Sequence, residues 1–101
     1  MDPRTYLFVP GNRPERFAKA LASGADAIVL DLEDAVAPSA KSEARDAIAQ
    51  WCSEVSAGDR TRIVVRVNEA QSTNFADDLK LLREARIACV MLPKAESAAQ
   101  V

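Results

Sequence analysis

The feature of the sequence that most constrains its fold is the alternation of short apolar runs with segments of helical periodicity. Four runs have the length and the composition of buried strands, at residues 6–9, 27–30, 63–67 and 89–92. Between the second and third runs, apolar residues recur on one helix face, at Ala40, Ala44, Ala47, Ile48, Trp51 and Val55. This order predicts parallel strands joined by right-handed helical crossovers.

Proline, glycine and capping residues mark the boundaries of these elements. Asn12 and Glu15 have the spacing of a capping box, which predicts the start of a first helix that Gly24 ends. The later boundaries follow the same kind of signal: a second helix opened by Pro38 and broken by Gly58 and Asp59, a third opened by Asn74, and the start of a fourth from Glu96 onward.

The fold class predicted from this order is α/β. The chain has 101 residues, whereas a complete barrel of eight βα units needs about 250. We therefore predict that residues 1–101 are the amino-terminal part of a single barrel domain, namely the front half, about four βα units, of a TIM (β/α)8 barrel. An open α/β sheet that folds by itself is the alternative.

Composition narrows the classes of function. The net charge is −2, so no electrostatic attraction to nucleic acid or to a membrane surface is expected. Histidine is absent, which excludes an imidazole-activated nucleophile and a histidine metal site within these residues. Cys52 and Cys89 lie in apolar patterns and are predicted to be buried thiols. The start lacks the pattern of a signal peptide and no apolar run has the length of a membrane span, so a cytoplasmic location is expected.

Three carboxylates crowd the end of the second apolar run, at Asp31, Glu33 and Asp34. Side chains alternate along a strand, so Asp31 and Glu33 are expected on one face. The opposite face is apolar and is predicted to pack under the helices: Ile28, Leu30 and Leu32. The same alternation on the third strand predicts three residues on the face of the carboxylates: Val64, Arg66 and Asn68. Arg66 is therefore the predicted partner of the acids.

Polar or ionisable residues follow all the predicted strands, at the carboxyl ends where parallel α/β folds have their active sites. They are Asn12, Arg13, Asp31, Glu33, Asp34, Arg66, Asn68 and Lys94. The candidate catalytic residues among them are Arg66, Glu33, Asp34, Asp31 and Lys94. Structural alternatives stay open, because the acids can cap the following loop, Arg66 can form a scaffold ion pair, and Lys94 can be a solvated loop residue.

The first helix offers weaker signals. The backbone amides after Gly11, with the charge of Arg13, can bind a phosphate or a carboxylate at a helix start. Arg13, Arg16 and Lys19 are equally compatible with the charged outer face that any surface helix has. These residues alone therefore do not define a site.

Four segments, in this order and spacing, carry a family resemblance: RTYLFVPGNRPERFAKA, DAIVLDLEDAVAPSAKSEAR, VVRVN and VMLPKAES. Together they resemble the amino-terminal part of the citrate lyase beta-subunit-like proteins of the HpcH/HpaI aldolase/citrate lyase superfamily, whose members include malyl-CoA and citramalyl-CoA lyases. The resemblance covers essentially the whole chain. Its opening, LFVPGNRPER, favours the acyl-CoA lyases over the aldehyde aldolases.

The resemblance implies a Mg²⁺-dependent carbon–carbon lyase on a barrel that is usually trimeric or a multiple of that. Such an enzyme cleaves a 3-hydroxyacyl-CoA thioester, of the citryl-CoA, malyl-CoA or citramalyl-CoA type, to an acyl-CoA and a 2-oxo acid. The family's two Mg²⁺ ligands, a Glu and an Asp on the next strands, would lie beyond Val101. No metal ligand is therefore assigned within these residues, and the chain alone is expected to be inactive.

Individual residues inherit expectations from the resemblance. Arg66, in VRVN, matches the arginine that grips the carboxylate of the 2-oxo acid, and Lys94 matches the lysine after the fourth strand. The family's acidic cluster at the second strand is matched by Asp31, Glu33 and Asp34. The resemblance implies that these carboxylates either transfer a proton or orient Arg66, Lys94 and metal-bound water. The residues near positions that contact the CoA moiety are Phe8, Arg16 and Lys19, and the adjoining cofactor-binding candidates are Asn12 and Arg13.

Three other functions remain open on the sequence. A thioesterase on the same barrel would release CoA without splitting the acyl skeleton. An aldolase acting on pyruvate and a free aldehyde would not need CoA. A non-catalytic half-barrel would bind acidic ligands or pair with itself through strand edges at residues 6–9 or 90–92.

Overall fold

Five strands form one sheet in the computed structural model, which describes residues 5–93 and the backbone of residues 99–100. The strands are β1 (Tyr6–Pro10), β2 (Ala27–Asp31), β3 (Ile63–Arg66), β4 (Cys89–Met91) and β5 (Ala99–Gln100). They lie side by side in chain order; β1 to β4 are parallel and β5 is antiparallel to β4. The predicted α/β fold with four parallel strands is therefore confirmed.

The register of the parallel strands brings their carboxyl ends into one row. Pro10 pairs with Asp31, Asp31 pairs with Arg66, and Arg66 pairs with Met91. Side chains at paired positions point to the same face of a sheet. The carboxylate of Asp31 and the guanidinium of Arg66 are therefore neighbours because of the strand register alone.

The helices lie in the crossovers between parallel strands. They are α1 (Phe17–Leu21) between β1 and β2, α2 (Lys41–Cys52) and α3 (Ala57–Arg60) between β2 and β3, and α4 (Phe75–Glu84) between β3 and β4. A 3₁₀ turn precedes α1 at Pro14–Arg16, and another precedes α2 at Pro38–Ala40. Proline fits both first turns because no amide donor is needed there. Within the described residues, no helix is long and apolar enough to cross a membrane.

The main core lies between the helices and one face of the sheet. That face consists of alternate residues of β1, β2, β3 and the positions that follow them: Val9, Ile28, Leu30, Leu32, Ile63, Val65 and Val67. The helices cover it with Phe17, Ile48 and Leu82, and the rings of Phe17 and Trp51 lie 5.3 Å apart. A smaller cluster on the opposite face contains Ala27, Val29, Val64 and Met91. The predicted faces of β2 and α2 are confirmed.

The predicted cap of the first helix is wrong. Asn12 and Glu15 do not form a capping box, because the residue before the first turn is Arg13 and it makes no side-chain capping hydrogen bond. The proline that follows it has already removed one of the amides that a cap would satisfy.

Two later boundaries also differ from the prediction. Gly58 and Asp59 lie inside α3, which forms because the Ser56 side chain accepts a hydrogen bond from the amide of Asp59 at 3.1 Å. Glu96, where a fourth helix was expected to begin, lies outside the described residues. Ala99–Gln100 is a strand rather than a helix, and it pairs with β4.

The two cysteines are free thiols. Cys52 is buried in the main core, and that burial raises the pKa of its thiol to about 11. Cys89 begins β4 and is half-buried. A thiol with so high a pKa stays protonated at neutral pH and is a poor nucleophile, so the structural interpretation of Cys52 is confirmed.

At the amino ends of the strands, an arginine joins two loops. Arg62 lies directly before β3, and its Nη2 donates to the carbonyl oxygens of Leu21 at 2.9 Å and Ala25 at 2.7 Å. These contacts fix the end of α1 against the start of β3. Arg62 thus gives the loops at this end of the sheet a specific side-chain contact.

Gly11 follows β1 and lies so close to β2 that a side chain does not fit. Its amide donates to the carbonyl oxygen of Asp31 at 2.8 Å. A Cβ atom on Gly11 would lie 2.7 Å from that oxygen and 3.2 Å from Cδ1 of Ile48. The oxygen belongs to the backbone, so relief of this contact would separate β1 from β2.

We predict that Gly11→Ala lowers the free energy of unfolding by about 2 kcal/mol or more, measured by urea denaturation. Gly58→Ala is the matched control, because a Cβ there meets nothing within 4 Å. In the helical turn of α3, that change should leave stability unchanged or raise it by about 0.5–1 kcal/mol. Equal denaturation midpoints for the two variants would contradict the close approach at Gly11.

Candidate functional site

A bidentate ion pair joins β2 and β3 at their carboxyl ends. Arg66 Nε donates to Oδ1 of Asp31 at 2.8 Å, and Arg66 Nη2 donates to Oδ2 at 2.6 Å. The Asp31 side chain is 2% exposed and the Arg66 side chain is 18% exposed. Two parallel charge-assisted hydrogen bonds fix the plane of the guanidinium relative to the sheet. The predicted contact between these residues is confirmed, and their catalytic role stays a prediction.

Both carboxylate oxygens of Asp31 accept two hydrogen bonds from neighbouring residues. Besides the two bonds from Arg66, Oδ1 accepts the amide of Glu33 and Oδ2 accepts the amide of Ala35, both at 2.9 Å. Burial by itself raises the pKa of Asp31, but the hydrogen bonds from Arg66 and the two amides outweigh it, so the pKa lies below its ordinary value. Asp31 is therefore an ionised anchor for Arg66 and not a proton donor.

Arg66 keeps both N–H groups of Nη1 for a ligand. The carbon of its guanidinium lies 5.4 Å from the centre of the Phe8 ring, a cation–π distance. The hydrogen bond to Asp31 raises the pKa of Arg66 above its ordinary value. Nε and Nη2 are committed to Asp31, whereas Nη1 makes no hydrogen bond to a residue in the described part of the chain. An incoming anion would therefore meet Nη1 with the rest of the guanidinium already fixed.

Glu33 lies beside this pair but is not satisfied by it. Its Oε1 is 3.7 Å from Arg66 Nε, beyond hydrogen-bond distance, and its side chain is 12% exposed. Oε1 is buried, and no described residue donates a hydrogen bond to it. Burial and the neighbouring Asp34 carboxyl raise the pKa of Glu33, while the charge of Arg66 opposes that change. The pKa of Glu33 is thus shifted in the direction opposite to that of Asp31.

The loop after β2 borders a cavity. Asp34 is exposed and, with Glu33, lines a cavity of about 350 Å³. Its other lining residues come from the loops after β2 and β3: Val36, Pro38, Lys41, Asn68, Glu69 and Ser72. Two of the three clustered carboxylates therefore reach a concave surface at the carboxyl ends of the strands.

The alternation predicted that Asn68 lies on the same face of the sheet as Arg66, but the side chain of Asn68 is directed toward α4. Its backbone amide and its Nδ2 both donate to Oδ2 of Asp78 in α4, at 2.9 and 2.7 Å. Oδ1 of Asp78 accepts a hydrogen bond from Arg45 Nη1 in α2 at 3.2 Å. The prediction is wrong because β3 ends at Arg66, so the alternation of a strand no longer applies two residues later.

The cofactor-binding candidates lie around the first strand end. Phe8 is 49% exposed and contacts Arg66. Asn12 is half-buried, and the exposed basic candidates are Arg13, Arg16 and Lys19. Of the backbone amides at this helix start, those of Gly11 and Arg13 donate to the carbonyl oxygens of Asp31 and Pro10, and the expected anion site stays a prediction. Lys94 lies outside the described residues.

Lys41 is a charged residue of this region that the sequence analysis missed. It is buried, and its Nζ donates to the carbonyl oxygens of Leu32 at 2.7 Å and Glu33 at 2.9 Å. The sequence contained one signal, a lysine in the first turn of a helix, where the helix dipole disfavours a cation.

The family resemblance implies a magnesium ion, but the described residues do not provide a complete set of magnesium ligands. Within residues 5–93, no three carboxylate, cysteine or histidine side chains are close enough together to hold a metal ion. Both oxygens of Asp31 are already hydrogen-bonded. The expectation that the metal ligands follow Val101 stays a prediction.

Comparison with known proteins identifies the family. The model of the HpcH/HpaI aldolase/citrate lyase family matches residues 4–101. The chain belongs to this family. A citrate lyase subunit beta-like protein of Mycobacterium tuberculosis is 49% identical over 96 residues, which are 95% of this chain and 33% of that protein.

Other members of the HpcH/HpaI family are named for acyl-CoA chemistry. An L-malyl-CoA/beta-methylmalyl-CoA lyase of Cereibacter sphaeroides is 42% identical, over 97% of this chain and 31% of its own length. A (3S)-malyl-CoA thioesterase of the same organism is 37% identical, over 97% of this chain and 34% of its own length. The chain thus spans about a third of the length of the curated relatives that it matches.

Solved structures of family members contain the ligands that the resemblance implies. The CitE protein of M. tuberculosis, in complex with magnesium, acetoacetate and coenzyme A, matches with a TM-score of 0.76 and 46% identity, over 91% of this chain and 32% of that one. A second structure is the citrate lyase beta subunit of M. tuberculosis complexed with oxaloacetate and magnesium. It matches with a TM-score of 0.77 and 44% identity, over 95% of this chain and 40% of that one. Magnesium and coenzyme A are therefore ligands of structural neighbours of this chain.

The raised pKa of Glu33 predicts a pH-dependent cost in stability. The folded protein binds the Glu33 proton more tightly than the unfolded chain does, whose pKa is the ordinary 4.5. Ionisation of Glu33 therefore costs stability as pH rises above 4.5, and the cost persists once pH exceeds the folded pKa. Glu33→Gln should therefore raise the free energy of unfolding at about pH 7.

Urea denaturation at two pH values tests this prediction. At about pH 4, where Glu33 is protonated in both states, wild type and Glu33→Gln should differ much less than at about pH 7. Glu54→Gln, a change at an exposed carboxyl two residues after the end of α2, is the control and should be neutral at both pH values. A Glu33→Gln protein that is less stable at neutral pH would contradict the buried, unpartnered state of Oε1.

Proposed function

We propose that the whole protein is a Mg²⁺-dependent carbon–carbon lyase that cleaves a 3-hydroxyacyl-CoA, of the citryl-CoA, malyl-CoA or citramalyl-CoA type, to an acyl-CoA and a 2-oxo acid. Membership of the HpcH/HpaI aldolase/citrate lyase family supports the class of reaction. The observation that carries the proposal is the guanidinium of Arg66, which two hydrogen bonds to Asp31 hold at the strand ends.

Arg66 is the proposed anchor for the carboxylate that ends up in the 2-oxo acid. Nη1 supplies a donor, and the charge of Arg66 attracts an anion. The two hydrogen bonds that Arg66 donates to Asp31 orient the guanidinium, so little conformational entropy of the side chain is lost when a ligand binds. An anchored carboxylate fixes the bond to be broken relative to the other groups of the site, which raises the rate through orientation.

Glu33 is the proposed proton-transfer group of the described residues. Cleavage removes the proton of the 3-hydroxyl group, breaks the bond between C2 and C3 of the acyl chain, and leaves an enolate of the acyl-CoA that must take up a proton at its α carbon. A carboxyl with a raised pKa is suited to move a proton near neutral pH. The ionised, fully bonded Asp31 is not, because its lowered pKa disfavours the protonated form.

The CoA moiety is proposed to lie across the first strand end. The exposed basic residues Arg13 and Arg16 lie between the carboxyl end of β1 and the start of α1, and the exposed Lys19 lies within α1. Phosphates of CoA are anions that such side chains attract. The exposed ring of Phe8, in β1, gives an apolar surface beside Arg66.

The surrounding architecture is part of the proposal. We propose that the four parallel strands are the front half of a TIM barrel, that further strands supply the Mg²⁺ ligands, and that the protein is a cytoplasmic homo-oligomer, trimeric or a multiple of that. The parallel order of β1 to β4 and the length of the relatives support the barrel.

A thioesterase on the same framework is the second candidate. It is favoured by the (3S)-malyl-CoA thioesterase among the relatives, whose identity of 37% is close to the 42% of the malyl-CoA lyase. Product analysis separates the two, because a lyase releases an acyl-CoA and a 2-oxo acid whereas a thioesterase releases free CoA and an intact hydroxy acid. An aldolase would act without CoA, and a non-catalytic module would turn over none of these compounds.

The test uses Arg66→Lys in the whole protein, assayed with Mg²⁺ and malyl-CoA, citryl-CoA and citramalyl-CoA. Lysine keeps the charge but loses the two-pronged donor, so kcat/KM should fall about 10²-fold or more. Arg62→Lys is the matched control at the other end of the same strand, where Nη2 bonds two backbone carbonyls. It should lower stability and leave kcat/KM within about threefold of wild type.

Two outcomes would overturn the proposal. The first is a whole protein that forms neither a 2-oxo acid nor free CoA from any of the three thioesters. The second is an Arg66→Lys protein that folds and turns over as fast as wild type, which would remove Arg66 from the site.

A further inference from the structure

Lys41, the first residue of α2, has a buried charge. It is 7% exposed, and its Nζ donates to the carbonyl oxygens of Leu32 at 2.7 Å and Glu33 at 2.9 Å. Removing an ammonium group from water is unfavourable unless hydrogen bonds replace its hydration. The partners of Lys41 are backbone carbonyls, whereas the buried Asp31 and Asp78 both bond to arginine side chains.

The position of Lys41 is not explained by the stability of its own helix. A cation in the first turn is repelled by the positive end of the helix dipole. Ala40, the residue before it, makes no side-chain capping hydrogen bond that would offset this. What Lys41 contacts, namely the loop after β2, is the remaining explanation for a lysine at this position.

Lys41 and Asp31 hold the same loop by opposite groups of its backbone. The carboxylate of Asp31 accepts the amides of Glu33 and Ala35, both at 2.9 Å. The ammonium of Lys41 donates to the carbonyls of Leu32 and Glu33. Both peptide groups that flank the Cα atom of Glu33 are therefore bonded to a charged side chain, so the direction of the Glu33 side chain is restricted.

We propose that Lys41 is a positioning residue that keeps the Glu33 carboxyl beside Arg66. Glu33 needs such a hold because its Oε1 is buried with no hydrogen-bond donor among the described residues, 3.7 Å from Arg66 Nε. A side chain in so unfavourable a place would swing toward water if its backbone were free to turn. The effect of Lys41 on turnover rests on the proposed function, whereas its hold on the loop does not.

The hold on the loop is tested without any assay of activity, by residue-resolved amide hydrogen exchange of Lys41→Met in the whole protein. Methionine is similar in length and apolar, so the buried stem remains and the two hydrogen bonds are lost. The amides of Glu33 and Ala35 should exchange about tenfold faster or more, relative to amides of the central strands.

Arg45→Met is the matched control for exchange. Arg45 lies one turn further along α2, its side chain is 15% exposed, and it bonds Asn74 and Asp78, both at 3.2 Å. Losing it weakens the contact between α2 and α4, so it lowers stability without touching the loop after β2. In Arg45→Met, the amides of Glu33 and Ala35 should therefore keep their protection from hydrogen exchange, relative to the amides of the central strands.

Turnover tests whether Lys41 acts through Glu33. With Glu33 present, Lys41→Met should lower kcat about tenfold or more and change KM less than about threefold. In a Glu33→Gln background the same change should have little further effect, because the group that Lys41 positions is already gone. Arg45→Met should have the same relative effect on kcat in both backgrounds.

The outcomes separate the two proposals. Unchanged exchange at Glu33 and Ala35 in Lys41→Met would overturn the positioning role, as would additive effects of Lys41→Met and Glu33→Gln on kcat. Faster exchange in Lys41→Met, together with a wild-type protein that has neither lyase nor thioesterase activity, would sustain the hold on the loop and overturn the proposed function. If Lys41→Met does not fold, Lys41→Gln, which retains one donor group, is judged by the same criteria.

Discussion

The buried pair of Asp31 and Arg66 is the constraint on which the carboxyl edge of the sheet depends. A buried carboxylate without partners costs several kcal/mol, so Asp31 at the end of β2 requires donors from the chain around it. Arg66 supplies two from the neighbouring strand, and the loop that follows turns back to supply the amides of Glu33 and Ala35. The conformation of that loop thus satisfies the charge of Asp31, and its carbonyl oxygens at Leu32 and Glu33 satisfy the charge of Lys41.

The same loop leaves a second carboxylate unsatisfied. Asp31 and Glu33 are two residues apart, yet the pKa of Asp31 is lowered and the pKa of Glu33 is raised. The difference comes from partners rather than from burial, because burial raises the pKa of both and only Asp31 has four hydrogen bonds that outweigh it. Environments that separate the pKa values of adjacent carboxyl groups are typical of sites where one group binds and the other transfers a proton.

The periodicity of the sequence predicted the four parallel strands, the apolar face of α2 and the contact between Asp31 and Arg66, because each follows from alternation or helical spacing alone. Asn68 was placed on the wrong face because the end of a strand is decided by tertiary contacts, here its bonds to Asp78. Lys41 was missed because a lysine on an amphipathic helix ordinarily lies in water. The backbone contact of Gly11 with Asp31 requires the register of two strands, which no single segment contains.

Asp31, Glu33, Lys41 and Arg66 all lie within the described residues, and the contacts that orient the guanidinium come from Asp31 in β2 and Phe8 in β1. The bonds to Asp31 fix the plane of the guanidinium, so an anion that reaches Nη1 meets a donor whose orientation has already been determined. Such a preorganised donor loses little conformational entropy on binding and needs no reorganisation as charge develops. The free energy that the fold spends on desolvating Asp31 and Arg66 is thereby recovered as orientation at the position where a carboxylate would bind.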